Sequence, residues 1–275
     1  MPTRIPTSKR SAKALCDLSR KGLRVFDQSY KAIFERRAES YHRAMTDCPG
    51  ARQCEFQNIV DLADIREGEI VCDIPSGGCY LREFVGTRAK IISVETSIEF
   101  LKFGRSGDFH QRVLCRDLDR LPLKDGAADK VISLAALHHV SDKGAFFREA
   151  YRCLARNGVL AVADVRKNSK AADFLNGFVD RHNSMGHRGE FIDETAADRL
   201  RQAGFRVEYS EAKSHPWIFE SSKRMASYCR LLFGLDQAGS DEEILRGLRE
   251  GPGYEQFGDQ WFLNWELLFI KATKD

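Results

Sequence analysis

The ten residues Val71 to Tyr80, VCDIPSGGCY, close an apolar run with an aspartate and follow it with a loop of small residues. Asp73 can accept hydrogen bonds from a polar ligand. Gly77 and Gly78 let the backbone approach that ligand where a side chain would stand in the way, while Pro75 removes one N–H and fixes φ. Glu95 is a second acid at the end of an apolar run, KIISVE, 22 residues after Asp73. Farther on, His138 and His139 follow the run VISLAAL, and His182, Asn183, His187 and Arg188 share the polar stretch DRHNSMGHRGEF. Imidazole titrates near neutral pH and so suits general-base work.

These groups must be held by something, and the hydrophobic rhythm says what. Strand-like segments are expected at 69–74, 90–95, 112–116, 129–134 and 158–164, separated by a dozen or more residues of helix or loop. Apolar strands with helical crossovers form a parallel sheet covered on both faces. Residues 147–158 read as a helix closed by Asn157-Gly158, and 193–204 as another, leading into a strand over 205–212. The last strand is expected at 265–273. Before it, 219–235 and 241–250 read as helices, the second opened by a capping box at Ser240–Glu243. At the other end, Phe26, Tyr30, Ile33, Phe34, Tyr41 and Met45 recur at helical spacing, with Gly22 dividing two helices. A further amphipathic helix covers 55–65.

Together these residues resemble the class I S-adenosylmethionine-dependent methyltransferases over about residues 55–165, with the terminal strand pair extending the match to 273. Asp73 and Gly77 match the acid and the middle glycine of the family's first turn, with Pro75 and Cys79 standing where the outer glycines would be. Glu95 matches the acid after the second strand, a feature that NAD-binding dehydrogenases share. Asp117-Leu118, Leu121-Pro122-Leu123 and Asp129 match the segment between the third and fourth strands, which is the discriminating part. LAALHHVSD and the turn RCLARNG complete the register.

The resemblance implies an α/β fold: a doubly wound, mostly parallel seven-stranded sheet in the order 3-2-1-4-5-7-6, the last strand antiparallel. It divides the chain into a basic N-terminal arm with helices (1–54, on the substrate side) and a cofactor-binding domain (55–275) with a helical insertion at about 214–260. S-adenosylmethionine is the implied cofactor, S-adenosylhomocysteine the product, and no metal is expected. Its ribose falls to Glu95, its adenine to Asp117 and Leu118, and its methionine end to Asp73 and Gly77, with Pro75, Ser76, Thr96 and Leu134 completing the site. His138, His139 and His187 are the candidate proton-handling residues on the acceptor side. The aromatic residues Trp217, Phe219, Tyr254, Phe257, Trp261 and Phe262 point to a lid over a small organic acceptor (at O, N or C) of specialised metabolism, or else to a homodimer contact. No [DN]-P-P-[YFW] follows the fourth strand, where Ser133-Leu134-Ala135-Ala136 stands, which argues against methylation of amino groups on nucleic-acid bases.

Bulk properties narrow the field further. The 275 residues are 43% hydrophobic and 30% charged, which reads as a soluble globular protein. No apolar run is long enough to cross a bilayer, and no secretory leader opens the chain, so a cytoplasmic location is expected. The eight cysteines form no C-x-x-C pair and read as reduced thiols. The net charge of +3 conceals a basic start: residues 1–43 carry 11 Lys/Arg against 4 Asp/Glu. That arm makes RNA the alternative acceptor. A SAM-binding protein with a non-methylating or regulatory role is the other alternative.

Overall fold

The computed structural model describes residues 30–275. The expected helix division at Gly22, and most of the basic arm, lie outside those residues.

Eight strands form one sheet: β1 Ile70–Asp73, β2 Lys90–Glu95, β3 His110–Leu114, β4 Ala128–Leu134, β5 Leu154–Asp164, β6 Arg206–Phe219, β7 Tyr254–Phe257 and β8 Gln260–Thr273. Their order is β3-β2-β1-β4-β5-β8-β6, with β7 added on β8. The first five strands run parallel, and β8 runs antiparallel to both β5 and β6. The expected order therefore holds, but with eight strands instead of seven. The extra one, β7, is the outer arm of a hairpin with β8, turned through Gly258-Asp259 with Gly258 at φ 58°.

The helices are α1 Tyr30–Asp47, α2 Gln53–Ala63, α3 Leu81–Val85, α4 Ile98–Leu101, α5 Lys143–Cys153, α6 Lys170–Phe174, α7 Asp180–His182, α8 Thr195–Gln202, α9 Ser222–Phe233 and α10 Asp241–Glu250. Alternation along the central strands divides the core into two layers, as a pleated sheet covered on both faces requires. Ile132, Ala161 and Ala163 face one layer, closed by Phe56, Ile59 and Val60 of α2 and Met225 and Cys229 of α9. Val131, Leu160 and Val162 face the other, closed by Phe146, Phe147 and Ala150 of α5 and Leu200 of α8.

Several boundaries differ from the sequence reading. Helix α5 ends at Cys153, and Asn157-Gly158 lies inside β5, where Asn157 has φ 62°. The register on β4 shifts between Ala128 and Lys130 opposite this bulge, so the turn signal marks a kinked strand entry rather than a helix stop. Strand β3 begins at His110 and ends at Leu114, which leaves Asp117-Leu118 in the loop beyond it. Strand β6 continues to Phe219 and β8 starts at Gln260, so the helices of the insertion lie only within 222–250. Both inserted helices are capped as their sequences demand: Ser221 accepts from Arg224 N at 3.2 Å and Ser240 from Glu243 N at 3.3 Å.

Candidate active site

In a doubly wound sheet, ligands collect beyond the carboxyl ends of the strands where the strand order reverses, here between β1 and β4. Asp73, the last residue of β1, is only 4% exposed. No described residue donates a hydrogen bond to its carboxylate, and burial, with the charge of Glu95 second, holds its pKa well above the usual carboxylate range. The loop that follows is tightly turned, with Cys79 N bonded to Ser76 O and Ser76 N to Val94 O, both at 3.0 Å. Gly77 has φ 54°, and a side chain at Gly78 would meet the ring of Tyr80 at 2.4 Å. Cys79, where the family pattern has glycine, also sits in the left-handed region at φ 64°. A non-glycine residue there costs about 1–2 kcal/mol, and the buried thiol packs in return against Ser76 Oγ at 3.8 Å.

Glu95 is fully buried at the end of β2 and collects five hydrogen bonds, the longest from the Thr96 hydroxyl at 3.5 Å. Gly77 N lies at 2.8 Å, Thr96 N at 2.7 Å, Ser97 N at 3.0 Å and the Tyr30 hydroxyl at 2.9 Å. Burial pushes the acid up to about 7 in spite of these donors, each of which favours the ionised form.

Three neighbouring spaces line up along the strand ends. The first is an open groove of about 260 Å³ lined by Thr96, Asp117, Leu118 and Val140. The second is a narrow cavity of about 50 Å³ bordered by Asp73, Pro75, Ser76, Gly77, Leu134 and Ala136. Tyr30 borders both and stands between them. The third, about 70 Å³, is lined by Arg37, His138, His139, His187, Trp217 and Trp265, and it shares Phe34, Tyr41, Arg52 and Ala135 with the second. A larger groove of about 470 Å³ lies elsewhere, along Lys143, Lys167, Asp173 and Arg199, and includes none of the strand-end acids. The site is located by its chemistry, not by volume.

The histidines of the third space come from two places. His138 and His139 form a single 3₁₀ turn, Leu137–His139, after β4, and His187 comes from the loop between α7 and α8. His138 Nδ1 bonds to Asp164 Oδ1 at 2.6 Å, and Asp164, buried at the end of β5, also accepts from the backbone of His138 and Val165. His187 Nδ1 bonds to Asn176 Oδ1 at 3.0 Å. Burial, with neighbouring imidazoles second, pushes both His139 and His187 well below the usual imidazole range, so both are neutral at physiological pH.

A buried ion pair stiffens the wall shared by the two narrow cavities. Arg52 holds Glu55 through Nη2 and through Nε at 3.1 Å, and donates from Nη1 to Tyr41 Oη at 2.6 Å. Trp217 Nε1 donates to the second Glu55 oxygen at 2.8 Å. Burial alone would raise the Glu55 pKa, but Arg52 overrides it and the carboxyl lies at about 2.

Of the residues singled out in the sequence, Asp73, Pro75, Ser76, Gly77 and Leu134 come together around one cavity, Glu95 is buried behind it on Gly77 N, and Thr96, Asp117 and Leu118 line the adjoining groove. Asp117 is exposed and faces Arg116 at 3.5 Å. The three candidate histidines converge, whereas His182 turns away to Phe178 O and Glu243. The expected aromatic lid is divided: Trp217 and Phe219 are buried, but Phe257 is 80% exposed on the β7 hairpin. Tyr30, Arg37 and Asn176 were not legible as site residues. Tyr30 had only a helical-face signal, indistinguishable from core spacing.

The order of the strands, the antiparallel β8 and a carboxylate after each of β1 and β2 define a class I, Rossmann-like nucleotide-binding fold. A methyltransferase-domain family model matches residues 73–162, the stretch from the end of β1 into β5. The chain's similarity to the malonyl-[acyl-carrier protein] O-methyltransferase of Yersinia pestis is 26% identity over 148 residues, 54% of either chain. The chain thus spans about half the length of that curated relative. Among solved structures, a SAM-dependent methyltransferase from Thermotoga maritima superposes with a TM-score of 0.56 at 22% identity, covering 88% of this chain and 99% of that one. The [4+2]-cyclase SpnF gives 0.59 at 17% identity, covering 90% and 96%. At these identities the superpositions establish the fold alone.

The residues present fit S-adenosylmethionine, the cofactor that the resemblance in the sequence implies. The buried Asp73 carboxyl lacks a donor among the described residues, which a ligand ammonium would supply. Gly77 and Gly78 leave the loop backbone bare, and Glu95 offers the acceptor that a ribose diol needs. Tyr30 obstructs the site, because its hydroxyl occupies Glu95 Oε2, an oxygen that also accepts from Gly77 N. Ligand sites of this kind span roughly 300–1,000 Å³, so the first turn of α1 has to move for the groove and cavity to join. Among the described residues, no helix is long and apolar enough to cross a membrane.

Proposed function

We propose that the protein transfers the methyl group of S-adenosylmethionine to a small, largely apolar molecule seated in the histidine-lined cavity. The observation that carries this reading is the pairing of two sites across one wall. Two buried acids flank Gly77 on one side, and on the other lies a separate cavity walled by Trp217 and Trp265.

When bound, S-adenosylmethionine supplies an electrophilic sulfonium methyl. The chain's own residues do the rest. Asp73 takes the ammonium of the methionine end, Glu95 the ribose hydroxyls, and Asp117 with Leu118 flanks the adenine. Holding both partners in line supplies much of the acceleration of such a displacement. On the acceptor side, Asp164 fixes the His138 ring through Nδ1 and leaves Nε2 free to take a proton. The aromatic walls exclude water and favour an aromatic or aliphatic acceptor over a polymer.

Incubation of the full chain with S-adenosylmethionine and a panel of phenolic, amine and enolisable acceptors tests this by mass spectrometry. The expected result is S-adenosylhomocysteine together with an acceptor one methylene heavier. A second reading keeps the cofactor bound but not consumed. Acceptor conversion without S-adenosylhomocysteine would favour that reading.

A further inference from the structure

We propose that His138, His139 and His187 form a binding site for a divalent transition metal ion, zinc by preference, on the floor of the acceptor cavity. One ring nitrogen from each histidine lies within 4.8 Å of the others. The ring centroids are separated by 4.2 Å (138–139), 5.2 Å (139–187) and 5.6 Å (138–187). Zinc held at about 2.0–2.1 Å by imidazoles places ligand nitrogens about 3.3 Å apart in a tetrahedron. Small ring rotations close that difference.

The surroundings select the form of each ring that binds a metal. His138 Nδ1 meets the Asp164 carboxylate, so it is the protonated nitrogen and Nε2 carries the free lone pair. For His187 the assignment follows from Asn176. The amide oxygen of Asn176 already accepts from Gly189 N at 2.7 Å, and its nitrogen donates to Gly189 O at 2.9 Å. His187 Nδ1 faces that same oxygen and must donate to it, which leaves Nε2 bare. A carboxylate or amide oxygen behind the ring is the usual second partner of a metal-bound histidine, because it fixes the tautomer and the ring orientation. Two lone pairs so fixed, together with a nitrogen of His139, offer three neutral imidazole ligands in one place.

An all-imidazole set suits zinc and its first-row neighbours and is a poor set for magnesium or calcium. Three protein ligands leave a fourth position, and here it opens to the cavity lined by Phe34, Trp217 and Phe233. Arg37 lines the same cavity. Its positive charge disfavours a bare dication and favours a metal whose fourth ligand is an anionic oxygen. A metal there would lower the pKa of a bound hydroxyl, the task otherwise left to His138. That consequence rests on the proposed methyl transfer, but the metal site itself does not.

The test is a metal titration of the full chain stripped with chelator, using cobalt(II) chloride followed by visible absorption and zinc chloride in competition with a chromophoric chelator. The expected result is one equivalent of cobalt with the intense bands of a tetrahedral site, displaced by zinc. His138→Gln/His187→Gln should weaken zinc at least a hundredfold. Asn176→Ala, at an exposed position outside the cluster, should weaken it about tenfold to a hundredfold while far-UV circular dichroism stays unchanged. No saturable binding to the wild-type chain, or binding of equal affinity in the double variant, overturns the assignment. Neither outcome touches S-adenosylhomocysteine binding, so failure of the metal site and failure of the methyltransferase reading are told apart.

Discussion

Tyr30 donates its phenolic hydrogen to Glu95 across 65 residues of chain, at 2.9 Å. The phenol thereby takes the acceptor that a nucleoside ribose requires, and its ring separates the groove at Asp117 from the cavity at Asp73. The contact is not isolated. Tyr30 packs against Phe34 with centroids 4.7 Å apart, and Phe34 against Phe100 at 4.6 Å, so the first turn of α1 is seated as a unit. With Glu95 as the proposed ribose acceptor, this is a closed form in which the chain's own side chain stands in for one hydrogen bond of the ligand.

Removal of that hydroxyl should favour the ligand. A hydrogen bond to a charged group contributes about 1.5–3 kcal/mol, and Tyr30→Phe forfeits it only in the closed form. The Tyr30→Phe protein is expected to bind S-adenosylhomocysteine about tenfold more tightly by calorimetry. Weaker binding would mean that Tyr30 belongs to the liganded site and does not compete with it.

Glu95 is expected to make cofactor binding pH-dependent. Its folded pKa of about 7 lies above the ordinary value of 4.5, so its proton must leave before the carboxylate can accept both ribose hydroxyls. Affinity for S-adenosylhomocysteine should rise as pH passes upward through about 7, and Glu95→Gln should flatten that limb. The raised pKa has the opposite sign for folding: the folded chain holds its proton more tightly, so this residue's contribution to stability is full below pH 4.5 and is lost as pH rises through 7. Glu95→Ala should weaken binding by about 2–4 kcal/mol. Unchanged affinity there removes Glu95 from the site.

Asp73 separates ligand binding from stability. Burial favours its protonated form, and an amide is close to that form in shape and charge. Asp73→Asn should leave the thermal midpoint of the ligand-free chain nearly unchanged while weakening S-adenosylhomocysteine about tenfold or more, through loss of an ion pair with its ammonium. A large fall in the midpoint of the free chain would contradict the neutral state of Asp73.

Arg52 carries the largest stability prediction. Arg52→Met leaves Glu55 buried without its cation, and breaking a buried pair in this way costs about 3–5 kcal/mol. Denaturant unfolding should register that loss at neutral pH. Glu55 is held near 2 against an ordinary 4.5, so the pair's contribution is present above pH 4.5 and lost as pH falls toward 2. The variant should lack that acid limb.

The sheet was legible because each central strand is a short apolar run between turns, and the crossovers leave only a parallel solution. Asp73, Glu95 and the leucine-rich third loop were legible because they occupy fixed places relative to those strands. The insertion was misjudged at its edges: Lys213–Phe219 carries helix and strand formers alike, and only pairing with Trp261–Leu267 decides for strand. Tyr30 was hidden for a different reason. A tyrosine on an apolar helix face looks the same whether it enters a core or a binding site, and contact with Glu95 is a property of packing alone. Likewise nothing local to His187 foretold its meeting with His138, since Asn176 and the loop after α7 set that approach.

The long β6–β8 ribbon has a consequence for how the acceptor cavity can change. His215 pairs with Trp265 and Trp217 with Leu263, which sets the two indoles diagonally across the ribbon with centroids 4.5 Å apart. Strand side chains alternate faces, so a single-residue insertion or deletion in either strand would turn an indole to the opposite face. That wall is therefore intolerant of length change and alters only by substitution in place. The facing wall, Phe34, Arg37 and Tyr41 on α1, is under no such constraint, because a helix can rotate or slide by fractions of a turn. Divergence in cavity size among related chains should accordingly be recorded in α1, with the tryptophan ribbon as the fixed reference.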